Sequence, residues 1–176
     1  LKTCNACVSV RIPVGSFRMD RRQRRIWKRN LDLTLTRRPP ALTTEYYDLY
    51  ERYIVGRHAD GDMHPPEVEQ FRSFLVDGRA EAAFYEFRDA GRLVSVAVAD
   101  QLDDGLSAIY TFFDPDDSKR SLGVQAVLSL VDLTRQLGLP NLYLGYWIKQ
   151  CAKMSYKTDY QPLELFVRSE EHTSEL

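Results

Sequence analysis

Apolar positions in the first half of the chain change their period several times, which predicts short strands and helices in succession. Residues 8–14 (VSVRIPV) and 31–36 alternate as strands do. A basic helix lies between them, and Ser16 or Asp20 is suited to cap it. After Pro39 and Pro40 comes a helix rich in tyrosine, with Thr43 or Thr44 as its cap, and residues 67–76 again have helical spacing.

The second half predicts three strands, a helix and a last strand. Strand-like runs at 84–88, 93–100 and 106–113 are separated by Gly- or Asp-rich turns, which favours an antiparallel meander. A strongly periodic helix covers 121–137, and an aromatic strand covers 141–148. The sum is an α+β domain whose mixed, largely antiparallel sheet is flanked by helices. This late order of elements is similar to the GNAT-like acyltransferase fold, in which a helix N-terminus such as that in KRSLG (119–123) receives an anionic group.

Length and hydropathy predict one compact domain outside any membrane. The 176 residues suffice for a sizeable core, and 44% of them are hydrophobic. No apolar run approaches the ~20 residues that span a bilayer, and the first residues lack the order of a signal peptide. We therefore expect a cytoplasmic protein with no membrane partner.

Charge is distributed unevenly along the chain. Residues 1–38 carry 11 Lys and Arg and only two acids, so this segment is +9 in a chain whose total is -1. A solvated helix face normally mixes both signs, whereas a one-signed segment favours a polyanionic partner such as RNA. The cations that we expect to contact an RNA backbone are Arg18, Arg21, Arg22, Arg24, Arg25, Lys28 and Arg29.

Three cysteines suggest metal chemistry or reduced thiols rather than disulfides. Cys4 and Cys7 have CxxC spacing, which lets two thiolates reach one metal ion or cluster iron. Cys151 is a distant third, and a site normally needs four ligands. A metal or iron–sulfur site at Cys4 and Cys7 and a pair of partly buried thiols both remain open.

Several blocks together resemble one protein family. They are CNACVSVRIPV with FRMDRRQRR, then RYIVGRHADGDM, then LSAIYTFFDPD with KRSLG, and finally LYLGYWIKQCAKMSYKTDYQPLE. This set, from about Cys4 to Glu164, is similar to the bacterial arginyl- and leucyl-tRNA-protein transferases. The resemblance implies transfer of leucine or arginine from a charged tRNA to an N-terminal Asp or Glu, which marks the protein for degradation.

The resemblance also implies a division of the chain into domains and a role for the cysteines. Residues 1–38 become a basic segment left from a longer N-terminal region, and 39–167 the GNAT-like transferase domain. Residues 168–176 (RSEEHTSEL) read as a translated sequencing adapter. The bacterial pattern usually has a further cysteine three residues before Cys4, where this chain has Leu1. Eukaryotic relatives hold a cysteine-ligated iron–sulfur cluster, which favours the metal hypothesis.

Candidate substrate contacts lie in two loops and at one helix start. An acidic N-terminal side chain needs a cation, which Arg120, Lys153 or Lys157 supplies, and Tyr156 lies between the two lysines. The loop at 56–66 contains His58 and Asp60, and its Gly and Pro residues indicate a turn rather than a metal site. Within the resemblance, His58 and Asp60 become substrate contacts.

The reaction implied by the resemblance needs no cofactor for its chemistry. The free α-amine attacks the ester carbonyl of aminoacyl-tRNA, and a tetrahedral oxyanion expels the terminal ribose hydroxyl. Asp114 is the candidate for holding or deprotonating the amine, and Tyr110 or Tyr146 for donating to the oxyanion or the leaving oxygen. Two alternatives remain: an acyl-CoA-dependent N-acyltransferase whose KRSLG loop binds pyrophosphate, and a noncatalytic RNA-binding module.

Overall fold

One sheet of seven strands organises the part of the chain that the structure describes. The computed structural model describes residues 7–148, 156–157 and 159–166, with backbone only for residues 7, 8, 146–148 and 166. The strands are β1 (Cys7–Pro13), β2 (Thr34–Arg38), β3 (Ala82–Asp89), β4 (Arg92–Leu102), β5 (Gly105–Phe113), β6 (Asn141–Ile148) and β7 (Glu164–Phe166). Their order across the sheet is β2-β3-β4-β5-β6-β1-β7. Neighbouring strands are antiparallel except β5 and β6.

Helices cover both faces of the sheet. They are α1 (Arg21–Arg29), α2 (Thr44–Arg57), α3 (Val68–Phe71), which continues into a π-helical turn (Arg72–Val76), and α4 (Leu122–Gln136). Tyr50 of α2 packs its ring on Phe112 of β5, which places α2 on one face. On the other face α4 connects β5 to β6, and α1 packs on α4. Strands β3 and β4 are buried along most of their length because both faces are covered.

Two of the helices begin where the sequence predicts a cap. The Asp20 carboxylate accepts from the Gln23 amide N–H, and the Gln23 side chain accepts from the Asp20 N–H, so α1 starts with a full capping box. Thr43 caps α2 by accepting from the N–H of Tyr46. Ile26 is the buried apolar residue of α1, whose other face is basic and exposed.

Aromatic rings from α2, α3 and the strands form the core on one face. Tyr46 and Phe71 both meet Phe84 of β3, and Tyr50 and Phe71 both meet Phe112 of β5. Edge-to-face contacts dominate this cluster, which adds specific geometry to the burial of large apolar surface. The tyrosine-rich helix that the sequence predicts is therefore a core element, with Tyr50 fully buried.

The sequence predicts the element types correctly, and the differences are local. Strand β2 begins at Thr34 rather than Leu31, because the Leu33 N–H bonds back to the Asn30 carbonyl and extends the turn after α1. The helix predicted over 67–76 is α in its first turn and π-helical after it. The three-residue strand β7 was not predicted. Strands β1 and β2, both from the basic N-terminal segment, belong to the same sheet as the rest.

Among the described residues, no helix has the length and apolarity that crossing a bilayer requires.

Candidate active site

The two parallel strands of the sheet separate along their length. Pairing between β5 and β6 covers three positions at their amino ends, from Gly105 with Asn141 to Ser107 with Tyr143. Both strands continue beyond these pairs, to Phe113 and Ile148, without pairing to each other. An opening therefore lies between their carboxyl ends, which is where open α/β sheets place ligands. We refer to it as the β5–β6 opening.

A bulge in each strand borders the β5–β6 opening. On β5, Ile109 is an extra residue, since Val98 pairs with Tyr110 while Ala99 pairs with Ala108. On β6, Leu144 is the extra residue, since Val10 of β1 pairs with Gly145 while Arg11 pairs with Tyr143. Gly145 itself has a φ of +78°. Bulges break the ladder and increase local twist. They account for the departure of the two strands from each other after three pairs.

Two tyrosines pack against each other where β5 faces α2. Tyr110 of β5 packs its ring between Tyr53 of α2 and Phe74, with centroids 6.2 and 5.7 Å away. Its hydroxyl has no hydrogen-bond partner among the described residues. The Tyr53 hydroxyl lies 2.9 Å from His58 Nε2. Burial raises the pKa of Tyr110 and raises the pKa of Tyr53 to about 12, so both stay protonated and able to donate at neutral pH.

Asp114, directly after β5, is a buried carboxylate held by two arginines. Its Oδ2 accepts from Arg92 at 2.8 Å, and its Oδ1 accepts from Arg52 at 3.3 Å and from the Asp116 N–H at 3.0 Å. Burial alone would raise the pKa of Asp114, but the Asp116 N–H and the two guanidinium groups hold it below its ordinary value. The group is therefore an anion at neutral pH and a weak base.

Lys157 reaches the opening from the β6 side. Its side chain is buried, and its Nζ lies 3.8 Å from the position that a Cβ on Gly145 would occupy. Burial lowers the pKa of Lys157. Tyr156, half exposed, precedes it. Two further sequence candidates cannot be placed in the same way: Lys153 lies outside the described residues, as does the side chain of Tyr146.

The basic helix α1 bridges the two loops that flank the β5–β6 opening. At its start, Gln23 Nε2 donates to the Asp159 carbonyl at 3.1 Å, in the segment that also carries Lys157. At its end, Arg29 donates to the Lys119 carbonyl and Asn30 Nδ2 to the Arg120 carbonyl, in the loop between β5 and α4. The helix is thus fixed alongside the opening, on the face of α4.

Seven cations make the outer side of α1 and the turn before it strongly positive. All are exposed, and none forms an ion pair among the described residues. Their only side-chain hydrogen bonds in that part of the chain go to backbone carbonyls, as for Arg18 and Arg24. They are the residues that the sequence singles out for RNA contact: Arg18, Arg21, Arg22, Arg24, Arg25, Lys28 and Arg29. Unpaired cations on one face are a surface suited to phosphates.

Carboxylates already occupy the loop that leads into α4. Arg120 makes two 2.8 Å hydrogen bonds to Asp32 and also pairs with Asp89 and Asp117. Asp117 Oδ1 accepts from the backbone N–H groups of Lys119 and Arg120, both at 3.0 Å. A surface cavity of about 370 Å³ lies here, lined by Arg92, Asp114, Asp116, Asp117, Ser118, Lys119 and Arg120. The carboxylate of Asp117 therefore already occupies the backbone N–H groups that an anionic ligand would use in this turn.

The loop after α2 presents His58 but not a metal centre. His58 packs its ring on Tyr53 at 4.9 Å, and Asp60 is exposed in the turn that the His58 carbonyl closes with Gly61. No cluster of metal-ligating side chains occurs in the part of the chain that the structure covers. Cys4 and the Cys7 side chain lie outside that part, so a metal or iron–sulfur site there stays a prediction.

Sequence reasoning alone does not bring together Arg52, Tyr53 and Arg92. Arg52 and Tyr53 belong to a helix 57 or more residues before Tyr110 and Asp114 in the chain, so only the packing of α2 on β5 joins them. One signal was present in the sequence. The spacing from Tyr53 to Arg57 places both on one side of a helix end, within the block RYIVGRH.

Comparisons with known proteins identify the family of this chain. A family model described as the C terminus of arginine-tRNA-protein transferase matches residues 45–167. A protein of Pseudomonas paraeruginosa named aspartate/glutamate leucyltransferase is 56% identical over 164 residues, which cover 93% of this chain and 70% of that protein. The protein of the same name from Hahella chejuensis is 53% identical over 165 residues, covering 94% and 70%.

Solved structures with little sequence identity share the fold. FemX superposes with a TM-score of 0.64 at 10% identity, covering 91% of this chain and 59% of that one. A GCN5-related glucosamine N-acetyltransferase region of a fungal β-N-acetylglucosaminidase gives 0.59 at 10% identity, covering 91% and 20%. These likenesses confirm the predicted GNAT-like α+β fold. With a matching family model over most of its length and relatives more than half identical, the chain belongs to the arginine-tRNA-protein transferase family.

Proposed function

We propose that this chain transfers leucine from leucyl-tRNA to the α-amine of proteins that begin with Asp or Glu, and so marks them for degradation. Arginine is the alternative donor residue. One observation carries the proposal: the basic helix α1 bridges the two loops that flank the β5–β6 opening. The names of the relatives, aspartate/glutamate leucyltransferase, favour leucine and acidic acceptors.

The donor tRNA approaches from the face of α1 and α4. Phosphates of its acceptor arm contact the exposed cations of α1, where no carboxylate among the described residues competes for them. Because α1 lies beside the β5–β6 opening, the esterified 3′ end enters between the two strands. Tyr156 and Lys157, on the segment joined to α1 through Gln23, lie next to that path.

The acceptor protein approaches from the face of α2. Its N-terminal residue meets the wall formed by Tyr53, His58 and Tyr110, with Asp60 in the adjoining loop. Donor and acceptor thus reach the β5–β6 opening from opposite faces of the sheet. This arrangement keeps the two macromolecules from blocking each other, and positioning is the main contribution that an already activated ester needs.

In the reaction the acceptor α-amine attacks the ester carbonyl carbon, forming a C–N bond and a tetrahedral oxyanion. Collapse of that intermediate breaks the bond to the terminal ribose oxygen, which leaves as a hydroxyl after taking up the proton that the amine loses. Tyr110 stays protonated and its hydroxyl has no partner among the described residues, so it is suited to donate to the oxyanion or the leaving oxygen. Tyr146 stays the second candidate.

Asp114 has a holding role in this proposal rather than that of a base. A carboxylate whose pKa lies below its ordinary value accepts a proton poorly. Its two oxygens instead fix Arg52 and Arg92 beside the end of β5. The proposed site leaves out Arg120, because three carboxylates already neutralise it. Lys153 stays a predicted cation, and the chemistry uses no cofactor.

The acyl-CoA alternative fits the loop before α4 less well. A pyrophosphate there would meet Asp117, whose carboxylate already accepts from two of the backbone N–H groups that such a ligand uses. That alternative also gives the seven cations of α1 no partner. We place the reaction in the cytoplasm, where charged tRNA is available.

The test is transfer of labelled leucine and arginine from tRNA to peptides that begin with Asp, Glu or Ala. We expect leucine on the Asp and Glu peptides, none on the Ala peptide, and none when the Asp peptide is N-acetylated. Failure of both donors, with equal binding of charged and uncharged tRNA, would establish the noncatalytic RNA-binding module instead. Acylation from acetyl-CoA in the same assay would establish the acyl-CoA reaction.

A further inference from the structure

Arg57 is an exposed cation at the acceptor side of the β5–β6 opening. It is the last residue of α2, and its guanidinium lies over the Phe113 ring at 5.0 Å from the centroid. Phe113 ends β5 and also packs on Tyr53 at 4.9 Å. A guanidinium held over an aromatic face keeps a fixed place while its N–H groups stay available at the edge.

Arg57 differs from the other arginines around the site in its partners. Arg52 and Arg92 share the carboxylate of Asp114, and Arg120 pairs with three aspartates. Arg57 forms no ion pair with any residue that the structure describes, including the acids of the following loop, Asp60 and Asp62. Its charge is therefore not neutralised by the part of the chain that the structure describes.

We propose that Arg57 binds the side-chain carboxylate of the acceptor's N-terminal Asp or Glu and so determines the specificity for acidic starts. This inference rests on the proposed function and names a residue for its acceptor specificity. A planar guanidinium matches a carboxylate with two parallel hydrogen bonds. Tyr53, one helix turn before Arg57, packs on the same Phe113 ring and on the ring of Tyr110.

The end of α2 makes the dependence on this one cation strong. The last carbonyl groups of a helix carry partial negative charge, which disfavours a carboxylate in their neighbourhood. The Arg57 guanidinium offsets that field and turns the site from repulsive to attractive for an acid. Without it, an acidic acceptor loses the ion pair and also meets the uncompensated helix end, whereas an uncharged acceptor loses neither.

The experiment compares acceptor peptides that begin with Asp and with its uncharged isostere Asn, at saturating leucyl-tRNA. We expect Arg57→Gln to lower kcat/KM for the Asp peptide at least about tenfold, mainly through KM, and to leave the much lower kcat/KM for the Asn peptide unchanged. Arg57→Lys keeps the charge and should recover part of the loss. The matched control is Arg72→Gln, an exposed arginine near the same face whose guanidinium bonds Glu69.

Each result decides between the proposals. Equal losses on the Asp and Asn peptides, or no loss on either, would overturn the role of Arg57 while wild-type transfer keeps the proposed function. Absence of transfer by the wild-type chain would overturn the proposed function itself. If Arg57→Gln lowers the far-UV circular dichroism signal, Arg57→Lys is compared with the wild-type chain instead, and its preference for the Asp peptide over the Asn peptide must then be smaller than that of the wild type; an unchanged preference would overturn the role of Arg57.

Discussion

At the scale of single residues, the site depends on charges that the fold pairs and charges that it leaves unpaired. The side chain of Asp114 is 6% exposed to solvent, whereas those of its two partners, Arg52 and Arg92, are 46% and 58% exposed. Removing one partner of a buried carboxylate lowers the stability of the fold, but the loss is smaller where solvent screens the partners, as it does for these two exposed arginines. Asp114 therefore stabilises the end of β5 moderately and fixes two guanidinium groups next to the proposed reaction site.

We expect Asp114→Asn to lower the free energy of unfolding by about 1 to 2 kcal/mol at pH 7 and to slow transfer without unfolding the protein. Because the folded-state pKa of Asp114 is depressed, the carboxylate's contribution is present above the unfolded value of about 3.9 and is lost as pH falls through the folded value. Urea denaturation of both proteins from pH 7 downwards measures this difference, which should narrow below about pH 4. A constant difference, or full transfer activity, would remove Asp114 from the account.

Sequence reasoning found single residues better than their partners. It selected Asp114 because this residue lies in the turn after a strand, Tyr110 as a hydroxyl donor within that strand, and the cations of α1 by their one-signed charge. It did not find Arg52 or Arg92, and it included Arg57 only as part of the block RYIVGRHADGDM, because the sequence does not show whether an exposed arginine faces an aspartate, a phenylalanine ring or water. Those contacts arise from packing between elements far apart in the chain.

At the scale of elements, α1 combines a fixed inner side with an unpaired outer side. Asp20, Gln23 and Ile26 hold the helix to the body of the protein, so its exposed arginines are free for substitution without loss of the fold. We expect Arg21→Glu with Arg25→Glu to weaken binding of leucyl-tRNA and to flatten the slope of log K against log salt concentration, by about 0.7 to 0.9 per lost phosphate contact as found for single-stranded and duplex DNA. Fluorescence anisotropy over a range of KCl concentrations measures both effects.

The control for that experiment carries the same change of charge at another place. Arg37→Glu with Arg72→Glu alters two exposed arginines away from α1, one on the edge strand β2 and one after α3. Equal weakening by the two double variants would mean that net charge matters and that α1 is not the contact surface.

Strands β5 and β6 hold together only at their amino ends, and Gly105 is at that contact. A Cβ on Gly105 would lie 2.1 Å from the Asn141 carbonyl oxygen, which only backbone movement relieves. We expect Gly105→Ala to lower the free energy of unfolding by about 3 kcal/mol. Gly15→Ala, with no atom within 4 Å of its new Cβ, is the control and should change stability little. Equal stability of the two variants in urea denaturation would contradict the assigned strand contact.

Elements with a clear period were predictable, and short or locally determined ones were not. The periodic helix predicted for α4 and the strand-like runs predicted for β3, β4 and β5 match the structure to within a few residues. Strand β7 has three residues, too few to establish a period, and it forms by pairing with β1. The π-helical turn after α3 has the same apolar spacing in sequence as an α-helix, so its hydrogen bonds could not be foreseen.

At the scale of the whole molecule, the function depends on where the sheet brings its strands. The order β2-β3-β4-β5-β6-β1-β7 inserts β1, from the basic segment, between β6 and β7, and so carries α1 to the side of the β5–β6 opening. Strand order is not encoded in local periodicity. The charge of the sequence could therefore predict an RNA-binding surface on α1, but only the structure gives the position of α1 next to the β5–β6 opening. In the proposed function, the donor and acceptor surfaces lie on opposite faces of one sheet.

The measurement that tests this account most directly gives the protein a choice of donors. An Asp-initiated peptide is incubated with the protein, leucyl-tRNA and acetyl-CoA together, and the product is sequenced by mass spectrometry. We predict a single leucine on the N-terminal α-amine and no acetyl group. An acetylated peptide, or a peptide that stays unmodified while the tRNA remains charged, would contradict the account.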